Sequence, residues 1–391
     1  MPYDGFNHKR AKAARQDMKY GLQCLFFIAG TVALSALYAP AAQAGFVHAS
    51  GTSLFLDGQR FVPRGVGHMD VTSLWTVTSS ALSENWITEK DFATLSRAGF
   101  NSIRLAVKTD YFQDPAPPHR FNEKNFAWLD KRLAWAKRHG LKLILDMHMP
   151  TGGTPQDYRV SPATQKFWDD PWLRGRFVDV WREIAKRYSK QEAIWAYDLM
   201  NEPATWDFAA YEKLMQATTR AIRTQDDKHA LIIQPGMLVL ASGQVQFKYP
   251  EIADGNVAHA LHFYQPVEFT HQSVYWGVMG DKAKTAYPDP PSVKNAWTDT
   301  DTRLAFEDAF AAAATSGRPV VLTEFGTVFH QKETGQVRWI QDVLAAARAK
   351  NTGWHYWYYK GPAYVGEMGL TTRWGTPRPR TWSVLKAANK P

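Results

Sequence analysis

The sequence predicts an α/β fold, a closed (β/α)8 TIM barrel of eight parallel strands that alternate with helices. Eight short apolar runs recur along the chain, and amphipathic stretches with helical spacing lie between them. Several runs are apolar almost throughout, as strands that are buried on both faces require. An open doubly wound sheet is the alternative, but no glycine-rich phosphate loop follows the first predicted strand.

The apolar runs place the eight strands in order along the chain. Leu143-Ile144-Leu145 and Pro319-Val320-Val321-Leu322 are typical of them. Glycines stand just before several runs, where a preceding helix must end. The predicted strands cover residues 62–67, 101–107, 141–147, 193–200, 229–234, 257–263, 319–324 and 353–359.

Other segments predict helices, a hairpin and one long loop. Apolar side chains recur at helical spacing in two clear cases, Phe126/Leu129/Leu133/Ala136 and Val337/Ile340/Leu344/Ala347. A short N-terminal β-hairpin is predicted over 53–62, with its turn at Asp57-Gly58. A long loop follows the sixth strand, over 265–301. Loops of this length are usually functional, and plain surface elaboration is the alternative.

The first 44 residues have the layout of a secretory signal peptide. A basic region ends at Lys19, an apolar run spans Leu25 to about Pro40, and Ala42-Gln43-Ala44 is a small-x-small cleavage site. We expect cleavage after Ala44, which leaves residues 45–391 as one domain in the periplasm or outside the cell. An uncleaved anchor and a translation start at Met18 are the alternatives. After signal removal we expect no stable membrane association and no appended binding module.

Composition narrows the classes of function. The chain has 391 residues, a formal net charge of +9 and a single cysteine. The charges are scattered and form no basic stripe, so we expect no nucleic-acid partner. One cysteine cannot supply the spacing of a zinc site. We expect no metal and no organic cofactor, and we expect a monomer.

Polar and titratable side chains stand where the predicted strands end. The active site of a (β/α)8 barrel lies at the C-terminal ends of its strands. The candidate site residues at these ends are Arg104, His148, Asn201, Glu202, His262, Tyr264, Glu324 and Trp357. Taken alone, each of these residues could have a purely structural role, as part of a buried ion pair, as a core histidine or as a tryptophan that packs in the core. Agreement among six strand ends favours a site.

Two glutamates carry the chemical argument. Glu202 and Glu324 each follow an apolar run, and an unpaired buried carboxylate is costly. Two carboxylates at one rim are what glycoside hydrolysis needs, one as acid and the other as nucleophile or base. The sequence therefore predicts a catalytic pair.

The motifs at these strand ends resemble glycoside hydrolase family 5, the cellulase family of retaining (β/α)8 β-glycanases. The segments that carry the resemblance are Asn101-Ser-Ile-Arg-Leu105, Leu145-Asp-Met-His148, Leu199-Met-Asn-Glu-Pro203, His262-Phe-Tyr264, Thr323-Glu-Phe-Gly326 and Trp354-His-Tyr-Trp357. Asn-Glu-Pro alone is moderately specific, whereas the whole ordered set is highly specific.

The resemblance implies a role for each residue. Glu202 would be the general acid/base and Glu324 the nucleophile, which Arg104 and Tyr264 would keep ionised and oriented. Asn201 would bind the sugar 2-hydroxyl. The supporting residues His148 and His262 would line the same subsite, and Trp357 would lie under the sugar as a platform. Apart from the resemblance, Trp75, Trp206 and Trp276 follow predicted strand ends and are candidates for further subsites, because sugar rings stack on aromatic side chains.

The implied reaction is the retaining hydrolysis of a β-linked polysaccharide or oligosaccharide. It requires the two carboxyl groups to lie about 5–5.5 Å apart. The leading interpretation is a secreted endo-β-1,4-glucanase. A β-mannanase, a β-1,3-glucanase or an exo-acting β-glucosidase would use the same chemistry. A carbohydrate-binding protein without activity is the distant alternative.

Overall fold

The computed structural model describes residues 45–68, 87–150, 162–240, 242, 244–272, 286–329, 334–360, 368–371 and 376–389. The predicted signal peptide over 1–44 lies outside these residues, as do Trp75 and Trp276. The described residues all fall within one compact unit.

A small antiparallel sheet opens the described chain. It contains β1 (Val47–Ser50), β2 (Ser53–Leu56) and β3 (Gln59–Arg60), in that order. The predicted hairpin is therefore present, extended by one strand. Val47 and Leu54 are buried against apolar side chains of the barrel strands, among them Ile144 and Trp195, which lie near the N-terminal ends of their strands. The small sheet thus covers the bottom of the barrel, away from the strand ends that carry the candidate residues.

Eight parallel strands close into a barrel, which confirms the predicted fold. All eight predicted strands are present, with ends shifted by a few residues. Their bounds are β4 (Arg64–His68), β5 (Ser102–Lys108), β6 (Lys142–Met149), β7 (Ile194–Asp198), β9 (Ala230–Ile233), β12 (Val257–Phe263), β13 (Val320–Phe325) and β14 (Gly353–Tyr356). They are almost completely buried because helices cover their outer faces.

Side-chain alternation along these strands separates the core from the site. On β5, Ile103 and Leu105 pack into the apolar layer between barrel and helices. Arg104, between them, is also fully buried but makes its polar contacts with other barrel strands. Successive strand residues point to opposite faces, so every second residue of an apolar run can be polar if it faces the barrel interior.

Helices surround the barrel, as the periodicity predicted. The longer ones are amphipathic or capped at their N-termini by Asn, Asp or Thr side chains. Their bounds are α1 (Glu89–Arg97), α2 (Thr109–Phe112), α3 (Glu123–Arg138), α4 (Pro162–Asp169), α5 (Pro171–Tyr188), α6 (Phe208–Arg223), α7 (Val267–Thr270), α8 (Asp299–Ala314), α9 (Thr334–Ala349) and α10 (Pro379–Ala388). In the described part of the chain, no helix combines the length and the apolar character needed to span a bilayer.

A second small sheet stands at the C-terminal end of the barrel. It consists of β8 (Ala204–Thr205), β10 (Gly236–Val239) and β11 (Val245–Lys248), in the order β11-β10-β8. β8 and β10 pair in parallel and continue the segments that leave β7 and β9. The sheet therefore ties together the two chain segments that hold Glu202 and its neighbours.

The long loop predicted after the sixth barrel strand falls in the segment between β12 and α8, of which residues 264–272 and 286–298 are described. The short helix α7 lies near its start. Tyr287 from this loop is buried, and its hydroxyl donates to Thr302 at the start of α8. This half of the loop is therefore anchored to the barrel's outer layer.

Candidate active site

A fully buried arginine organises the site. Arg104 on β5 donates to Asp198 (2.9 Å), to Asn201 (2.7 Å) and to Glu324, and it forms an ion pair with Asp146 (3.0 Å). These four acceptors come from β6, the end of β7, the segment after β7 and β13. One guanidinium therefore sets the relative positions of three barrel strands.

His148 and Trp357 meet on one side of this cluster. Nδ1 of His148 lies 2.7 Å from Oδ2 of Asp146, two residues earlier on the same face of β6. The His148 ring stacks on Trp357, with centroids 5.1 Å apart and planes 8° apart. Gly67 lies behind the indole, and a Cβ there would come 2.4 Å from the Trp357 ring. Only glycine lets the Trp357 ring sit this close to β4.

Glu202 has a backbone conformation that residues other than glycine rarely adopt. Its φ is +43°, in the left-handed region, which costs a residue with a Cβ about 1–3 kcal/mol. The Glu202 N–H donates to Oε1 of Gln234 at 3.1 Å. The Glu202 side chain is about one-third exposed (36%), whereas the Glu324 side chain is 5% exposed. The two carboxyl groups thus have different environments at the same rim.

Glu324 at the end of β13 is gripped from two sides. Arg104 donates to one carboxylate oxygen, and the hydroxyl of Tyr264 donates to the other at 2.9 Å. His262 lies between the two glutamates, with Nδ1 at 2.8 Å from Glu202 and 3.6 Å from Glu324. A carboxylate oxygen of Glu202 and one of Glu324 lie within 4.8 Å of each other.

Burial shifts the protonation of most of these groups. It raises the pKa of Glu202, although the charges of His148 and Arg104 oppose the shift. It raises the pKa of Asp146 to about 7 and that of Asp198 to about 6, in both cases against the attraction of Arg104. Glu202 is therefore the carboxyl group of the pair that is suited to hold a proton.

The histidines and the tyrosine are held neutral. Burial lowers the pKa of His148 and of His262 to about 4, although the Glu324 carboxylate opposes both shifts. Burial and the Glu324 charge raise the pKa of Tyr264 well above its usual value. At neutral pH these side chains therefore act as uncharged hydrogen-bonding groups around the carboxylates.

Among the residues that the structure describes, two sets of three side chains could offer ligand atoms to a cation. Asp146 with His148 and Glu324 forms one set, and Glu202 with His262 and Glu324 forms the other. The Glu324 carboxylate, which both sets share, already accepts from Arg104 and Tyr264. Because both oxygens of this shared carboxylate are already engaged, we assign the site no metal.

Eight of the residues predicted from sequence come together in this one site. They are Arg104, His148, Asn201, Glu202, His262, Tyr264, Glu324 and Trp357. Trp206 is partly buried beside β8, and none of the described contacts links it to the eight. Trp75 and Trp276 lie outside the described residues.

Sequence reasoning missed two buried partners, Asp198 and Gln234, and included a third, Asp146, only as part of the Leu145-Asp-Met-His148 segment. All three are 2% exposed or less. Gln234 directly follows β9 and donates through Nε2 to Asp198 (3.1 Å) while its Oε1 accepts from Glu202. The available signal was their position, because each polar residue stands at or near the end of a strand that is otherwise apolar.

Comparison with known proteins agrees with this geometry. The sequence model described as Cellulase (glycosyl hydrolase family 5) matches residues 66–381. Endoglucanase C of Acetivibrio thermocellus is 27% identical over 308 residues, covering 74% of this chain and 88% of the relative. Cellodextrinase A of Ruminococcus flavefaciens is 26% identical over 313 residues, covering 76% and 82%.

The fold is also found among solved structures. Cel5A of Thermotoga maritima in complex with mannotriose aligns with a TM-score of 0.66 at 19% sequence identity. The alignment covers 83% of this chain and 97% of the other. At 19% sequence identity, this similarity supports a shared fold and nothing beyond it.

Proposed function

Because this chain belongs to glycosyl hydrolase family 5, the cellulase family, and is a glycoside hydrolase, we propose that it is a retaining endo-β-1,4-glucanase. In this proposal Glu202 is the general acid/base and Glu324 the nucleophile. Glu324 attacks the anomeric carbon while Glu202 protonates the departing oxygen. Water that Glu202 then activates hydrolyses the covalent glycosyl-enzyme.

The spacing of the two carboxyl groups is the observation that carries the mechanism. Retaining enzymes hold them about 5–5.5 Å apart, whereas inverting enzymes leave about 6.5–9.5 Å for a water molecule. Oxygens of Glu202 and Glu324 lie within 4.8 Å, and His262 contacts both. This separation supports double displacement.

The different environments of the two glutamates support their separate roles. Glu324 accepts from Arg104 and Tyr264, and these two donors fix the position of its oxygens, as a nucleophile requires. Burial raises the pKa of Glu202, which favours the protonated form that a general acid needs. Asn201 and Trp357 are proposed to hold the sugar in the cleaved position by a hydrogen bond and by stacking.

Product stereochemistry tests the mechanism. Hydrolysis of an aryl β-cellobioside, followed by proton NMR, should release the β-anomer first. Release of the α-anomer would refute retention. Glu324→Gln should lose about 10⁴-fold or more in kcat, because it removes the nucleophile. Full activity in that variant would refute the assignment of Glu324.

A substrate panel tests the specificity. The chain should act on carboxymethyl-cellulose, with a rapid fall in viscosity, more readily than on β-mannan or β-1,3-glucan. The 27% identity to endoglucanase C supports this choice. Release of glucose alone from chain ends would point to exo action, and preferential cleavage of mannan would point to a β-mannanase.

We also propose that the chain is exported and cleaved after Ala44. The Gly45 N–H lies 2.6 Å from a carboxylate oxygen of Asp57. A Cβ on Gly45 would come 2.4 Å from the Glu192 carboxyl carbon. A free ammonium at Gly45 would therefore gain a charge-assisted hydrogen bond where the peptide N–H makes a neutral one.

N-terminal sequencing of the exported protein tests the cleavage site, with Gly45 expected as the first residue. Thermal unfolding tests the role of the new terminus. A chain that begins at Gly45 should be more stable near pH 7 than one that keeps Ala44. Asp57→Asn should reduce the difference, because it removes the carboxylate that accepts from the Gly45 nitrogen.

A further inference from the structure

Gln234 is a buried amide that touches the proposed acid/base without belonging to the predicted site. It follows β9, and 2% of its surface is exposed. We propose that Gln234 is a positioning residue that holds Glu202 in the orientation needed for proton transfer. This inference rests on the proposed role of Glu202 as the general acid/base.

The surroundings of Gln234 leave one orientation for its amide. Oε1 accepts from the backbone N–H of Glu202 at 3.1 Å. Nε2 donates to the Asp198 carboxylate at 3.1 and 3.2 Å and lies 3.4 Å from the amide oxygen of Asn201. A flipped amide would set its oxygen against a carboxylate and its NH2 group against an N–H. The hydrogen-bonding pattern therefore specifies the orientation.

The contact falls on the strained part of the Glu202 backbone. At φ +43° the peptide N–H of Glu202 is turned out of the direction it would have in an extended strand. Gln234 accepts that N–H and also contacts Asn201, so it grips two consecutive residues of the turn. Its link to Asp198 joins this turn to the carboxylate that Arg104 holds at 2.9 Å.

Gln234 is itself anchored from behind. Its backbone carbonyl accepts from the hydroxyl of Tyr211 on α6 at 2.7 Å. Two residues later the chain enters β10, which pairs with β8 directly beyond Pro203. The segment that carries Glu202 and the segment that carries Gln234 are thus joined twice, by the hydrogen bond of the Gln234 side chain and by the pairing of β8 with β10.

A positioning role predicts a loss that depends on the leaving group. An activated leaving group departs as its anion and needs no proton, whereas a poor one depends on the general acid. The experiment compares kcat/KM for phenyl and 2,4-dinitrophenyl β-cellobioside in the full chain and in Gln234→Leu, Gln234→Glu and Glu202→Ala. Thr352→Val, which removes a buried hydrogen bond to Val320 at the opposite end of the barrel, is the matched control.

The variants have distinct expected results. Gln234→Leu should lose about 10- to 100-fold on the phenyl substrate, as misplaced catalytic groups do, and less than about 3-fold on the dinitrophenyl substrate. Gln234→Glu keeps the acceptor for the Glu202 N–H. It should recover activity at acidic pH, where its second oxygen is protonated and can donate to Asp198. Thr352→Val should show no dependence on the leaving group.

The outcomes separate the two proposals. If Glu202→Ala shows the dependence on the leaving group and Gln234→Leu does not, the positioning role is overturned while the proposed function stands. Equal losses of Gln234→Leu on both substrates would also overturn it, because they would indicate general damage to the fold. If Glu202→Ala itself shows no dependence, the assignment of Glu202 as acid/base is wrong, and the positioning role is overturned with it.

Discussion

Replacement of Arg104 by lysine keeps the positive charge but removes the planar guanidinium group, which donates through several nitrogens. Arg104 contacts four acceptors, which are carboxylate oxygens of Asp146, Asp198 and Glu324 and the amide oxygen of Asn201. A lysine ammonium is one point at the end of a single stem and can stay within reach of about two of them. At least two of the four contacts would be lost, each contributing about 1.5–3 kcal/mol because the guanidinium is charged.

The expected destabilisation of Arg104→Lys is therefore about 3–6 kcal/mol. An unfolding entropy of about 2.1 cal/mol/K per residue converts 1 kcal/mol into a little over 1 °C for a chain of this length. We expect the midpoint of thermal unfolding to fall by about 4–8 °C. We also expect kcat to fall about 100-fold or more, because Glu324 loses a fixed donor.

Calorimetry and steady-state kinetics on the same preparation test both numbers. Arg223→Lys is the matched control, since Arg223 grips Asp254 through two nitrogens (2.6 and 3.1 Å) away from the site. That control should lose stability and keep its kcat. If Arg104→Lys unfolds and turns over like the unmodified chain, the four contacts do not position the nucleophile, and the reasoning fails.

Three further predictions concern pH and packing. Burial raises the pKa of Glu202, so kcat/KM should fall on the alkaline side as Glu202 loses its proton, and Glu202→Gln should abolish that limb. Gly67→Ala should displace the Trp357 ring and raise KM, whereas Gly175→Ala, whose Cβ meets open space, should not; an unchanged KM in Gly67→Ala would contradict the platform role. Burial lowers the pKa of His355 to about 3, so the unfolded chain binds the extra proton between that value and about 6.5. His355 therefore contributes stability that is lost as pH falls through this window, by up to about 1.4 kcal/mol per pH unit. In denaturant unfolding, the free energy of unfolding of His355→Gln should fall less steeply between pH 6.5 and 3 than that of the unmodified chain. The same dependence on pH in both chains would refute this role of His355.

The sequence predicted the barrel because its strands are buried on both faces. Runs such as 141–147 and 319–324 are recognisable without any partner, since burial alone selects their composition. The second small sheet was not predicted. β8 has two residues and β10 has four, which is too few for a periodic pattern of apolar residues to be recognised. Their pairing also depends on the positions at which β7 and β9 end.

The site was predictable where a motif or a strand end marked it. Glu202 and Glu324 follow apolar runs, and the structure brings them together. The partners Asp198 and Gln234 also stand at or near strand ends but belong to no motif, and an isolated polar residue there is equally compatible with a surface position. Only the folded barrel shows that Arg104 lies opposite Asp198 and that Gln234 lies below the Glu202 turn.

The charge balance around Arg104 has a consequence for the kind of polymer that can be cleaved. One guanidinium faces the carboxyl groups of Asp146, Asp198 and Glu324, so the floor of the site has more negative than positive charge even when Asp146, with a pKa of about 7, holds a proton. In the proposed reaction the sugar passes through an oxocarbenium-like state that carries positive charge, which this floor stabilises more strongly than the neutral ground state. A chain of uronic acids would bring its own negative charge to the same floor, so for the proposed reaction we expect neutral glycans to be the preferred substrates.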